Sequence, residues 1–102
     1  MQATVRDNTA RQRYELEIGG EVAFIDYHRD GRTVTLTHVE VPLALRGQGL
    51  GTTLVKGMFA LVRERNDRII PVCPFIVRYM RWHPERTEDL LDDSQLGWPR
   101  PP

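Results

Sequence analysis

The 102-residue sequence predicts one α/β (α+β) domain: a four- or five-stranded mixed, mostly antiparallel sheet with one main helix and short C-terminal helices. Three observations predict it. Between residues 13 and 41, stretches of alternating polar and apolar side chains are separated by short turns, the pattern of half-buried antiparallel strands. A glycine-rich loop, Arg46-Gly47-Gln48-Gly49-Leu50-Gly51, then opens an amphipathic helix. A short apolar strand follows that helix. A strand–helix–strand connection makes its two strands parallel neighbours with a right-handed crossover.

Taken in order, residues 4–9 are polar and read as an edge strand or a loose arm. Arg13 to Ile18 alternates cleanly and is a strand; Gly19-Gly20 turns the chain, and Glu21 to His28 forms the second arm of the hairpin. Arg29-Asp30-Gly31-Arg32 is the next turn, with Asp-Gly as its signal. Thr33 to Val41, rich in β-branched residues, is the next strand. In the helix, Leu50, Leu54, Val55, Met58, Leu61 and Val62 mark one apolar face, and Asn66-Asp67 ends it. Arg68 to Cys73 is the returning strand, broken by Pro74. Phe75 to Trp82 forms a second helix that stops near His83, because the residue before Pro84 is steered out of helical geometry. Thr87 to Leu91 adds one more turn. The domain is expected to occupy residues 1–93, and the proline-rich 94–102 to be a flexible tail.

Composition narrows the function. Fourteen basic and fourteen acidic residues cancel, with no basic run, which argues against nucleic acid and anionic membrane as partners. No apolar run reaches the roughly 20 residues that span a bilayer, and Arg6, Asp7 and Asn8 stand where a signal peptide would be apolar. One cysteine makes no internal disulfide and suits a reducing cytoplasm. The cysteine and three histidines are too scattered for a zinc set, so no metal is expected.

The glycine loop carries the chemistry. Gly at alternate positions leaves backbone N–H groups unobstructed, and a helix opening there adds unpaired amides and the positive end of its dipole. That makes an anion site fit for a phosphate or pyrophosphate. The nucleotide-triphosphatase loop needs Lys-Ser/Thr after its last glycine, whereas Thr52-Thr53 follow Gly51. A dinucleotide loop needs G-x-G-x-x-G early in the chain, and the spacing here is G-x-G-x-G. The bland alternative is a glycine-rich turn before a core helix.

The pattern Arg/Gln-x-x-Gly-x-Gly/Ala, present as Arg46 to Gly51, resembles the acyl-CoA pyrophosphate loop of the GNAT superfamily of N-acetyltransferases. Further motifs agree in order: Thr37 to Pro42, Ile70-Pro71-Val72-Cys73-Pro74-Phe75, Tyr79 and His83-Pro84-Glu85. Together, over about residues 5 to 91, they are similar to the short YjdJ-type N-acetyltransferase-like family. Val39, where Thr is expected, and Arg86, where an aromatic is more usual, depart from it.

The resemblance implies acetyl-CoA as co-substrate and an amine acceptor. Gly47, Gly49 and Gly51, with the amides of Gln48 and Leu50, would cradle the pyrophosphate; Arg46 would add a charge, and Thr52 lies in the same first turn. The strand carrying Val39 and Val41 would pair its backbone with the pantetheine amides, in the gap where the two parallel strands splay. Larger members wall off the acceptor with early helices that have no counterpart in these residues, so the acceptor side is expected to be open or completed by a partner.

Three residues are candidates for the chemistry. Cys73, at a strand end before a helix, is either a packed thiol or a nucleophile activated by the helix N-terminus; position alone favours packing, and the resemblance favours chemistry. His38, on the neighbouring strand, would take a proton from the thiol or the amine, with Glu40 on the same face to orient it. The competing reading is a strand histidine and a solvated glutamate. His83 is read as mainly structural and His28 as exposed, while Phe75, Tyr79 and Trp82 are expected to pack a helix face rather than stack on bases. The sequence thus points to an acetyl-CoA-dependent N-acetyltransferase; a non-catalytic CoA-binding or protein-interaction module is the alternative.

Overall fold

A computed structural model describes residues 4–91. The strands are β1 (Arg6–Asn8), β2 (Arg13–Ile18), β3 (Glu21–Asp30), β4 (Thr33–Glu40) and β5 (Arg68–Pro71). They lie side by side in chain order, antiparallel from β1 to β4 and parallel between β4 and β5. The helices are α1 (Leu50–Glu64), α2 (Pro74–Trp82) and α3 (Pro84–Thr87), with 3₁₀ turns at Leu43–Leu45 and Glu88–Leu90. The fold is the mixed sheet with few helices that the sequence predicts, and residues 4–9 supply its edge strand. The proline-rich 94–102 lies outside the described residues.

The turns shape the sheet. Gly19 and Gly20 both take positive φ, 58° and 83°, as a two-residue turn that matches strand twist requires. The β3–β4 turn is tighter than expected: pairs Arg29↔Val34 and Asp30↔Thr33 extend the ladder until only Gly31 and Arg32 remain outside it.

One face of the sheet makes the core. Tyr14, Leu16, Ala23, Ile25, Val34 and Leu36 pack against Leu54, Val55, Met58 and Val62 of α1 in a single cluster, with Ile76 and Met80 of α2. The expected apolar face of α1 is therefore the buried one, although Leu50 and Leu61 lie at its margin and Phe59 is buried as well. The helix closes at Asn66 in the left-handed conformation (φ 57°): the Asn66 amide reaches Arg63 O and the Asp67 amide reaches Val62 O. This double bond satisfies carbonyls that a helix end leaves open.

β4 is not the uninterrupted strand read from its composition. Its register against β3 shifts between Asp26↔His38 and Tyr27↔Leu36, so Thr37 is an extra residue, a β-bulge. Before the bulge Val34 and Leu36 face the core; after it, Val39 and Val41 do. The bulge inverts the alternation, which sends His38 and Glu40 to the opposite face.

A charged cluster ties the C-terminal end of α1 to the sheet. Arg29 grips Asp67 through two bonds of 3.0 Å, while Asp7, its side chain 2% exposed, receives Arg65 at 2.8 Å and the Tyr27 hydroxyl at 2.6 Å. Nearby, Arg63 makes a bidentate pair with Asp89, which holds that carboxyl below its ordinary pKa. No helix among the described residues is long and apolar enough to cross a membrane.

Burial, then the bond to Asp7, pushes Tyr27 from 10.0 up to about 12, and burial raises Tyr14 as well. A raised folded-state pKa means that the native chain keeps a proton the unfolded chain has released. Its stabilising contribution is complete below pH 10 and is lost as pH climbs toward 12. Tyr27→Phe is expected to lower stability at neutral pH by about 1.5–3 kcal/mol, the worth of a hydrogen bond to a charged group, and to flatten the alkaline decline. Urea unfolding at pH 7 and between pH 9 and 11 measures both effects.

Candidate functional site

The site begins where β5 leaves β4. The carbonyl of Leu36 accepts from both the Val72 amide (2.9 Å) and the Cys73 amide (3.0 Å). Two successive donors converge on one acceptor, so the ladder cannot advance and β5 ends at Pro71, two residues before the expected strand end. β4 continues to Glu40 with no β5 partner beyond Leu36. Backbone groups alternate between the two edges of a strand. Leu36 points its carbonyl at β5; with one extra residue at Thr37, Val39 and Val41 are the next to present backbone groups to that vacated edge. Their side chains lean into the core while their peptide groups line the gap.

The glycine loop stands at the end of this edge. Arg46 Nε donates to Val41 O at 3.1 Å, which fastens the loop to the strand and uses part of the guanidinium that the sequence reading assigned to phosphate. Gly47 (φ 82°) and Gly49 (φ 71°) are left-handed, and open space surrounds the Cβ position of each. Their requirement is backbone conformation. Gly51 differs: a Cβ there would stand 2.9 Å from the Phe75 ring, so this glycine admits α2 beside α1. A side chain at each of the three would thus fail for two different reasons, and only at Gly51 by obstruction.

Gly49 caps α1 without a side-chain bond, and the first helical amide to find a backbone carbonyl is that of Thr53, on Gly49 O at 3.2 Å. Among the described residues, no backbone hydrogen bond starts from the amides of Gly47, Gln48, Gly49, Leu50, Gly51 or Thr52. Gln48 and Thr52 are exposed, so these donors stand at the surface. No acidic residue occupies the first turn of α1. Bare amides, a dipole end and open space are what an anion needs.

The proposed catalytic trio is divided. Cys73 is the N-cap residue of α2, directly after the divergence, 7% exposed and part of the core cluster; its thiol makes no hydrogen bond among the described residues. His38 lies on the other face because of the bulge, with 55% of its side chain exposed. The Cys73–His38 pair expected from adjacent strands is therefore not formed. His38 and Glu40 do meet: Nε2 donates to Glu40 Oε2 at 2.7 Å, which leaves Nδ1 as the free acceptor in the neutral ring. His83 is the C-cap of α2, its amide bonded to Tyr79 O and Met80 O, and His28 is exposed. Among the described residues no group of three or more His, Cys, Asp or Glu is placed to hold a metal ion.

The aromatic residues of α2 correct the sequence reading. Ile76 and Met80 form its buried stripe; Tyr79 packs 5.6 Å from Phe59 and Phe75, though 41% exposed, lies against Gly51, while Trp82 (76% exposed) is turned outward.

A family model described as GCN5-related N-acetyl-transferase matches residues 13–90, from the start of β2 to the last 3₁₀ turn. The chain belongs to this family. It is 30% identical over 83 residues to Protein NATD1 of Xenopus tropicalis, covering 78% of this chain and 76% of that protein. The NMR solution structure of a GCN5-like protein from Staphylococcus aureus superposes with a TM-score of 0.59 at 23% identity, over 92% of this chain and 95% of the other. That likeness shows the fold.

Burial makes Cys73 a sensitive reporter on this site. In the folded protein it is expected to react with a disulfide reagent at least tenfold more slowly than a free thiol, and at the full rate in denaturant. Stopped-flow absorbance of the released aromatic thiol measures it.

Proposed function

We propose that the protein is an acetyl-CoA-dependent N-acetyltransferase of the short, YjdJ-type kind, transferring acetyl directly to an amine. One observation carries this reading: six loop and first-turn amides, without backbone partners among the described residues, adjoin a β4 edge that β5 has vacated. Gly47 to Thr52 would hold the pyrophosphate, with the remaining guanidinium nitrogens of Arg46 nearby. The backbone of Val39 and Val41 would pair with the pantetheine amides, which brings the thioester to the Leu36–Cys73 divergence. A free β4 N–H at that edge supplies a donor for the thioester oxygen as charge develops on it.

The amine then forms the C–N bond as the C–S bond breaks. His38 is suited to accept the proton that the amine gives up, through Nδ1, with Glu40 stabilising the resulting imidazolium. Cys73 lines the site as a small apolar residue in this reading, because no base reaches its thiol among the described residues. Its N-cap position at the divergence supports a second reading, an acetyl-cysteine intermediate. The single reduced thiol is consistent with a cytoplasmic setting.

Gly49→Val forces a β-branched residue into left-handed backbone and is expected to weaken CoA binding at least a hundredfold while the domain stays folded; isothermal calorimetry and circular dichroism read the two. Retained affinity would remove the loop from the proposal. Intact-protein mass spectrometry after incubation with acetyl-CoA is expected to show no adduct at Cys73, and Cys73→Ala to keep turnover within about threefold. An acetyl adduct lost in Cys73→Ala, with loss of turnover, would establish the covalent route instead.

A further inference from the structure

The outward face of α2 has no role in the chemistry above. Phe75, Arg78, Tyr79 and Trp82 stand at i, i+3, i+4 and i+7, so they share one face of the helix. With His83 they line a surface cleft of about 190 Å³. Trp82 is 76% exposed, a costly place for an indole that merely packs. Arg78 makes no hydrogen bond or ion pair among the described residues, and no carboxylate lines the cleft.

The cleft starts at the glycine loop: the Phe75 ring is the group a Gly51 side chain would strike. From Phe75 to Trp82 the helix advances about 10 Å, at 1.5 Å per residue. This strip leads away from the proposed pyrophosphate site, is aromatic at both ends, and carries between them the Arg78 guanidinium, unpaired among the described residues. A nucleotide has the complementary parts, a base to stack and a phosphate to pair.

We propose that this cleft binds the nucleotide end of CoA, with the adenine ring stacked on Trp82 and the 3′-phosphate held by Arg78. The proposal rests on the loop assignment and extends it from the pyrophosphate to the cofactor's far end. Arg78 and Trp82 are then specificity residues, which select CoA over carriers that lack the 3′-phosphoadenosine. Discrimination comes from an exposed guanidinium, which solvent screens, so an effect of roughly tenfold is expected.

The test is calorimetric titration of wild type, Arg78→Gln and Trp82→Leu with CoA and with 3′-dephospho-CoA, alongside tryptophan fluorescence. Wild type should bind CoA about tenfold more tightly, and Arg78→Gln should bind both ligands equally, at the wild-type affinity for dephospho-CoA. CoA should quench wild-type fluorescence, and Trp82→Leu should lose that quench and several-fold affinity for both ligands. Equal wild-type affinities, or a preference that survives in Arg78→Gln, would overturn the phosphate assignment. An unchanged affinity and quench in Trp82→Leu would overturn the stacking and leave the indole to a protein partner. Either result with CoA still bound leaves the loop assignment standing, whereas a wild type that binds neither ligand removes both.

Discussion

Two amides meeting on the carbonyl of Leu36 are the constraint from which the site follows. A parallel ladder advances by giving each amide its own acceptor. When Val72 and Cys73 share one, β5 must turn away, and β4 is left with an edge whose peptide groups face no strand. Pro71 takes no part in this: Arg68 and Val72 donate on the β4 side, so position 71 turns its backbone to the outer edge of β5, where a missing N–H removes no ladder bond. Everything placed on the gap depends on this divergence: the backbone of Val39 and Val41, the position of Cys73 at the head of α2, and the approach of α2 to the glycine loop through Phe75 and Gly51.

The bulge at Thr37 sets which chemistry the gap can reach. It lets Val39 and Val41 serve the core with their side chains and the gap with their peptide groups, and it turns the imidazole and carboxylate outward. The bulge thereby separates the β4 edge at the gap from the outward face that carries His38 and Glu40. Arg46 joins the pieces by tying the glycine loop to Val41 O at the end of the strand edge.

The opposite end of α1 is organised by charge. Asp7, Arg29, Arg65 and Asp67 are drawn from β1, β3 and the α1–β5 connection, and the carboxylates are almost fully buried. Leaving either carboxylate without its cation would strand a charge away from water, so this cluster specifies one arrangement of these elements. It holds α1 at its C-terminal end, which leaves the N-terminal end free to present its amides.

Much of the architecture was legible in residue order alone, because its causes are local. Alternation in Arg13–Ile18, Gly19-Gly20 and Asp30-Gly31 at the turns, the apolar face of α1 and the glycine loop each depend on near neighbours along the chain. The left-handed backbone of Gly47 and Gly49 before α1 was legible for the same reason. Tertiary structure decided the rest. An extra residue in β4 is measurable only against its partner β3, yet it reverses the faces of every residue after it and so undid the Cys73–His38 pairing. Which stripe of α2 is buried depended on where Ile76 and Met80 met the sheet; the aromatic spacing at Phe75, Tyr79 and Trp82 was compatible with either outcome. Gly51 looked like its two neighbours in the loop, and only the arrival of Phe75 from twenty-four residues away gave it a different task. Residue order alone determined the elements, their sequence and the glycine loop, because these depend on near neighbours, whereas register, strand divergence and contacts between distant elements determined which side chains come together.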